Sequence, residues 1–219
     1  MKRLKILVDA VMYGLFLYLM SYRAGQGLFR HGVLGCILLA LFFIHHGLNW
    51  KWYRSLPKGR LTFTKGCFMA IDLLLLAAMI LMAVSSVLMS GDIFTFSPFF
   101  ATRTARSMHT CSTAWGFVIT MLHMGLHTRG LFRKIGNKAK RVLPPLLCHA
   151  AFFLTLVAGC VCFVHSGLWK SMFLLSRGSM SFYGFQFYFD YIMMTLAACL
   201  WIYLLMKRTT VKQKGCVSQ

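Results

Sequence analysis

Six long apolar segments constrain the fold of this 219-residue chain more than any other feature. Hydrophobic residues make up 58% of the sequence and charged residues only 13%, which is more apolar surface than a water-soluble domain could bury. A helix needs about 20 apolar residues to cross a hydrocarbon core of about 30 Å. The sequence therefore predicts an all-α integral membrane protein whose surroundings are a lipid bilayer. The six predicted transmembrane helices are residues 6–22, 31–50, 67–89, 106–127, 143–165 and 182–206.

The basic residues are concentrated in alternate connections between these segments. Of the 24 lysines and arginines, 18 lie before the first segment, in the second and fourth connections, or in the C-terminal tail. Because positively charged connections stay in the cytoplasm, both termini are predicted to be cytoplasmic and the chain to lie in the plasma membrane, or inner membrane, of a bacterium. The formal charge of +20 is then a topology signal that also attracts anionic lipid, and no nucleic-acid partner is expected.

Two of the predicted helices carry the same pair of histidines. Within residues 31–48 and 109–126, two histidines are separated by 14 positions, and the second begins a His-x-Gly-Leu tetrad. Fourteen helical residues make nearly four turns and rise about 21 Å, so both histidines face the same side, one near each membrane surface. Both helices run inward, which matches His31 with His109 at the outer surface and His45 with His123 at the inner surface.

Paired imidazoles from facing helices are the ligands that haem iron takes in a membrane bundle. Gly35 and Thr113, each four residues after an outer histidine, are small enough for a flat ring to lie against the helix. Zinc and copper also bind imidazole, but each level offers only one histidine per helix, fewer than these metals prefer. The sequence therefore predicts two haem b groups, one between each pair. The predicted iron ligands are His31, His45, His109 and His123.

Other polar residues near these pairs leave alternatives open. His127 lies one turn after His123 and could replace it as a ligand or bind a quinone, and His46 is a weaker rival of His45. Arg30 and Arg106 precede the outer histidines and are candidate partners for haem propionates, or ordinary interface anchors. Of the three intramembrane aspartates, Asp9 and Asp72 share the depth of the inner histidines, and Asp190 lies in the sixth segment. Asp9 and Asp72 could hold the other nitrogen of a ligating imidazole, relay protons or form structural hydrogen bonds.

The pattern divides the chain into three parts. Residues 1–130 form a predicted four-helix haem-binding bundle, made of repeated hairpins at 6–50 and 67–127. Residues 142–206 form a third hairpin, and residues 207–219 form a basic cytoplasmic tail. The third hairpin repeats the tetrad at His165, at the outer end of its first helix. Its other histidine, His149, is 16 positions earlier on a different face, so no third site of the same design is expected.

These features resemble the flavinylation-associated cytochrome domain family over about residues 6–130. The features are an aspartate-led hairpin, an outer histidine with a small residue one turn later, the inner tetrad, and the loop Ser90-Gly91 followed by Ile93-Phe94-Thr95-Phe96. The resemblance implies a membrane electron-transfer module related in plan to the cytochrome b subunits of formate dehydrogenase and hydrogenase. It also implies b-type haem at the four histidines, and electron transfer between the quinone pool or a cytoplasmic donor and an extracytoplasmic flavoprotein with covalent FMN. That flavoprotein is expected to be a separate partner, because the chain shows no flavin-attachment motif.

Two other classes of function remain open from the sequence. A small proton-coupled transporter or metal permease could use the intramembrane histidines and aspartates, although the four paired histidines avoid mid-membrane depth and no Gly or Pro breaks the centre of a segment. A non-catalytic assembly subunit is the third reading. The chain shows no catalytic motif of its own, so any enzyme containing it would use it as the membrane cytochrome subunit of a quinone-linked oxidoreductase.

Overall fold

The computed structural model describes residues 2–21, 27–91, 93, 102–175 and 184–216, with side chains as far as Lys207. Within these residues the chain is built of helices joined by short turns and loops. The helices are α1 (Lys2–Met20), α2 (Leu28–Leu48), α3 (Trp50–Ser55), α4 (Phe63–Met89), α5 (Arg103–Val142), α6 (Pro145–His165), α7 (Leu168–Met172) and α8 (Phe185–Cys216). Most of the loop motif that follows Gly91 lies outside the described residues.

Four of the helices are long and apolar enough to cross a membrane. They are α2, α4, α6 and the part of α8 from Phe185 to Lys207. Much of the apolar surface of these helices is exposed, as expected of side chains that face lipid. The helices α1 and α5 do not meet the same standard over the described residues. Three charged residues, Arg3, Lys5 and Asp9, interrupt the apolar character of α1, and α5 has many polar residues along its length.

The helix α5 is much longer than the sequence predicts. The predicted segment ends at residue 127, but α5 continues through the following connection to Val142, for 40 residues or about 60 Å. The connection contains no proline, so nothing in it prevents helical hydrogen bonding until Pro144 and Pro145 end the helix. The basic residues between 129 and 141 therefore lie on a helical extension rather than on a loop.

The third hairpin belongs to the core instead of standing apart from the predicted bundle. The helix α8 packs between α5 and α6, and its side chains also reach α1. Tyr13 Oη lies 2.7 Å from Thr195 Oγ1, and Ser21 Oγ lies 3.1 Å from Tyr188 Oη. On the other side α4 packs along α5, whereas α2 packs mainly on α1 and has no extensive contact with α5 among the described residues. The helices α2 and α5, which carry the histidine pairs, are thus held apart.

The helices α6 and α8 approach most closely at Gly159. A Cβ atom built on Gly159 would lie 2.2 Å from Cβ of Ala197, so the two backbones can meet there only because residue 159 lacks a side chain. Small residues at such crossings allow transmembrane helices to pack closely. The Gly159–Ala197 contact therefore sets the spacing of α6 and α8.

Gly159→Ala is expected to lower the free energy of unfolding by about 1–3 kcal/mol, because the new methyl group must push the helices apart. Adding Ala197→Gly should restore most of the loss, which thermal unfolding in detergent would measure. Gly14→Ala is the matched control, since a Cβ at Gly14 meets nothing within 4 Å. Equal stability of Gly159→Ala and the parent chain would show that α6 and α8 are not this close.

Candidate functional site

The structure brings His31 of α2 and His109 of α5 together at one end of the bundle, called here the His31 end. Their ring centroids are 6.2 Å apart and the ring planes are inclined by 76°. Metal–nitrogen bonds to histidine are about 2.0–2.1 Å long. Two such bonds in line, plus about 1.2 Å from each nitrogen to its ring centre, give roughly 6.4 Å between the centroids. The separation of the two rings therefore suits a pair of imidazoles on opposite sides of one metal ion.

Two serines of α4 hold the imidazole of His109 by its Nδ1 atom. Ser85 Oγ and Ser86 Oγ lie 3.3 and 3.2 Å from His109 Nδ1. Both hydroxyls donate to the carbonyl oxygen of Met82, at 2.9 and 2.8 Å, so their oxygens are left to accept from the ring. His109 Nδ1 must then carry the hydrogen, and Nε2 has the lone pair. This tautomer is the one that binds a metal through Nε2.

The predicted small residues beside this pair also have features that suit a bound group. Thr113 Oγ1 is buried and has no hydrogen-bond partner in the described part of the chain. A buried hydroxyl without a partner is costly, and a polar group of a ligand would relieve that cost. A Cβ built on Gly35 would meet no atom within 4 Å, so there is open space beside this turn of α2.

At the opposite end, called the His45 end, each hairpin pairs its histidine with its own aspartate. His45 Nδ1 lies 2.7 Å from Asp9 Oδ1, and His123 Nδ1 lies 2.7 Å from Asp72 Oδ1. A carboxylate accepts, so each Nδ1 donates and each Nε2 keeps its lone pair. Two helical hairpins thus present the same anchored imidazole, although the described contacts include none between the rings of His45 and His123.

His127 joins the same group as His123. Its Nε2 atom lies 3.8 Å from Asp72 Oδ1, and the rings of His123 and His127 are 4.5 Å apart. Asp72, His123 and His127 each offer a ligand atom, and these atoms lie within 4.8 Å of one another. The group could therefore hold a metal ion directly, which is a different use of His123 from binding a haem between α2 and α5.

His46 contacts a residue that the sequence analysis did not consider. Its Nδ1 atom hydrogen-bonds to Tyr53 Oη on the short helix α3. Burial, and secondly the charge of the Asp72 carboxylate, raise the pKa of the Tyr53 phenol, so Tyr53 keeps its proton at neutral pH. The helix α3 therefore lies close to the His45 end, and His46 is held by Tyr53 rather than by an aspartate.

The two arginines predicted to bind propionates stand near the outer pair but contact no acidic group. Arg30 and Arg106 lie in the first turns of α2 and α5, and both are exposed. Neither arginine forms an ion pair with a described residue. Their guanidinium groups can therefore reach an anionic group at the His31 end.

The sequence analysis missed Ser85 and Ser86 as partners of His109. The available signal was a pair of adjacent hydroxyls in the otherwise apolar segment 67–89. Serine occurs so commonly in transmembrane helices that this pair alone did not identify a histidine partner.

The third tetrad forms a separate polar group. His165 Nδ1 lies 3.0 Å from Asp190 Oδ2, and Gln186 Nε2 donates to Asp190 Oδ1 at 2.8 Å. His165 is the last residue of α6, as predicted, but the helix ends well inside the His31 end. No family model, curated protein or solved structure matches this chain.

Proposed function

We propose that this chain is a six-helix membrane cytochrome that carries two haem b groups and passes electrons across the bilayer. The observation that carries the proposal is the His31–His109 pair, whose rings are 6.2 Å apart, with His109 Nδ1 anchored on Ser85 and Ser86. In this proposal the helices α1 and α5 cross the membrane beside the four apolar helices. The positive connections place both termini in the cytoplasm, so the His31 end is the outer end.

Each residue of the two sites has a defined task in this proposal. His31 and His109 would hold the outer haem, and His45 and His123 the inner haem. A haem iron with two imidazole ligands exchanges one electron at a time, at a potential that its surroundings adjust. Carboxylates on Nδ1, as Asp9 and Asp72 provide, orient the imidazole and increase its basicity. The inner site therefore has more negative charge than the serine-anchored outer site.

The proposal extends to partners through the chemistry of the two ends. A quinone or a cytoplasmic donor would exchange electrons at one end, and an extracytoplasmic acceptor at the other. The resemblance to flavinylation-associated cytochromes favours an acceptor that carries covalent FMN. The exposed Arg30 and Arg106 supply positive charge at the outer end for haem propionates or for an acidic partner surface.

A reduced-minus-oxidised spectrum and a pyridine haemochrome assay test the proposal. Protein made with ample haem should show a b-type α-band and contain about two haems per chain. A purified, folded chain without this band would refute the cytochrome function. A content of one haem would remove one of the two sites.

A second candidate function is binding or transport of a divalent metal ion at Asp72, His123 and His127. The observation that favours it is the closeness of the three ligand atoms, within 4.8 Å of one another. Imidazole and carboxylate together suit zinc and other first-row divalent ions. Such an ion would use Asp72 as a direct ligand, whereas in the cytochrome Asp72 only holds His123.

The variants His127→Ala and His45→Ala separate the two functions. If the chain is a cytochrome, His127→Ala should keep both haems, because His127 is not an iron ligand, and His45→Ala should lose one. If the site holds a divalent ion, His127→Ala should lose that ion and His45→Ala should keep it. Haem content and zinc content, measured on the same preparations, give the result.

A further inference from the structure

The His165–Asp190 group lies deeper in the bundle than its position at a helix end suggests. Trp115 Nε1 and Cys111 Sγ of α5 both donate to the carbonyl oxygen of Met172, at 3.2 and 3.3 Å. The ring of Phe117 packs 4.7 Å from that of Tyr191, the residue after Asp190. Phe117 is eight residues after His109 and six before His123, or about 12 Å and about 9 Å along the helix. The group therefore stands at a depth between the two histidine pairs.

Asp190 is a fully engaged carboxylate. Its side chain is only 2% exposed, and its two oxygens accept separately from His165 Nδ1 and Gln186 Nε2. Because Nδ1 donates, the ring has its lone pair on Nε2, as at His45 and His123. The buried carboxylate also favours a positive charge on the ring, so His165 can take up a proton.

His165 itself can be reached from outside the bundle, because its side chain is 42% exposed. The surface around it is apolar: Val161, one turn earlier on the same face of α6, and Val164 and Phe189 are all exposed. At this depth in the proposed membrane, the exposed side of His165 opens toward lipid acyl chains. A ligand must therefore reach His165 through the hydrocarbon and must carry its own hydrogen-bonding group.

We propose that the His165–Asp190 group binds the headgroup of a lipid-soluble quinone or quinol. A quinol hydroxyl would donate to His165 Nε2, and a quinone carbonyl would accept from it once the ring is protonated. Phospholipid headgroups do not fit, because they stay at the membrane surface. The choice of a quinone among lipid-soluble carbonyl and hydroxyl compounds rests on the proposed electron-transfer function.

The substitution His165→Asn tests the site without removing the contact between α6 and α8. The asparagine amide can still donate to Asp190 from near the position of Nδ1, but the ring atom Nε2 is gone. Binding is measured in nanodiscs as quenching of tryptophan fluorescence by decylubiquinone or a short-chain menaquinone, since Trp169 is four residues from His165. The parent chain should show saturable quenching, and His165→Asn should weaken binding at least tenfold with unchanged melting temperature and haem content.

His149→Asn is the matched control, because His149 lies at the other end of α6 and contacts only its own helix, through the Pro145 carbonyl. This variant should bind quinone like the parent chain. Equal binding by His165→Asn, or no saturable binding of either quinone by the parent chain, would refute the site. Binding that depends on His165 in a chain without haem would support the site while contradicting the proposed cytochrome function.

Discussion

Replacing His109 by alanine should remove one of the two haems and leave the other in place. The imidazole of His109 is held on Ser85 and Ser86 with Nε2 available, and no other histidine of α5 lies within three turns of it. Loss of one of two axial ligands leaves the iron with a single imidazole and an open position. We expect the pyridine haemochrome ratio to fall from about two per chain to about one, and His31→Ala should give the same result.

The variant with both substitutions should lose no more haem than either variant alone, since both histidines serve one site. His149→Ala is the control, because it removes an exposed histidine from α6 and should keep both haems. Two haems in His109→Ala would contradict the pairing of His31 with His109. Loss of both haems together would indicate that the His31 end is needed for folding, which the melting temperature would reveal.

Replacing Asp72 by alanine should weaken haem binding at the His45 end by about 10–100-fold, the usual effect of removing a carboxylate from a ligating imidazole. Asp72 Oδ1 accepts from His123 Nδ1 at 2.7 Å, and its side chain is mostly buried. Without the carboxylate, the ring is free to rotate or to change tautomer. Titration of haem into the haem-free protein, followed by its absorption spectrum, would measure the loss.

Asp72→Asn should retain most of the affinity, because its amide oxygen can still accept the hydrogen bond from Nδ1. Asp190→Ala is the matched control, since it removes an equally buried aspartate from a histidine that is not a proposed iron ligand. Haem binding by Asp72→Ala at full affinity would show that Asp72 does not support an iron ligand. The divalent-ion candidate would then gain weight if the same variant lost zinc.

Much of the helical architecture could be predicted because apolar segment length is a strong signal. The predicted segments at 67–89 and 143–165 lie close to the bounds of α4 and α6, and the predicted depth match placed Asp9 near His45 and Asp72 near His123. Spacing along a helix and orientation in a membrane suffice for such contacts, since both depend on residue number alone.

The rest depended on helix packing, which residue spacing does not determine. The apolar pattern ends near residue 127, so it gave no sign that α5 continues to Val142. The sequence placed His165 at an outer helix end, but its depth depends on how α6 and α8 slide against α5. That offset is set by particular contacts, such as Gly159 with Ala197 and Trp115 with Met172. The contact of Tyr53 with His46 required the turn that begins α3.

The unbroken length of α5 has a mechanical consequence. One rigid rod carries His109, His123 and the basic extension that ends at Val142, and it is gripped at its buried middle near Phe117. A lever of this kind turns about its support, so a force on residues 129–141 would move His109 and His123 in opposite directions. A partner or lipid surface that docks on the extension would therefore change the geometry of both histidine sites in a single motion.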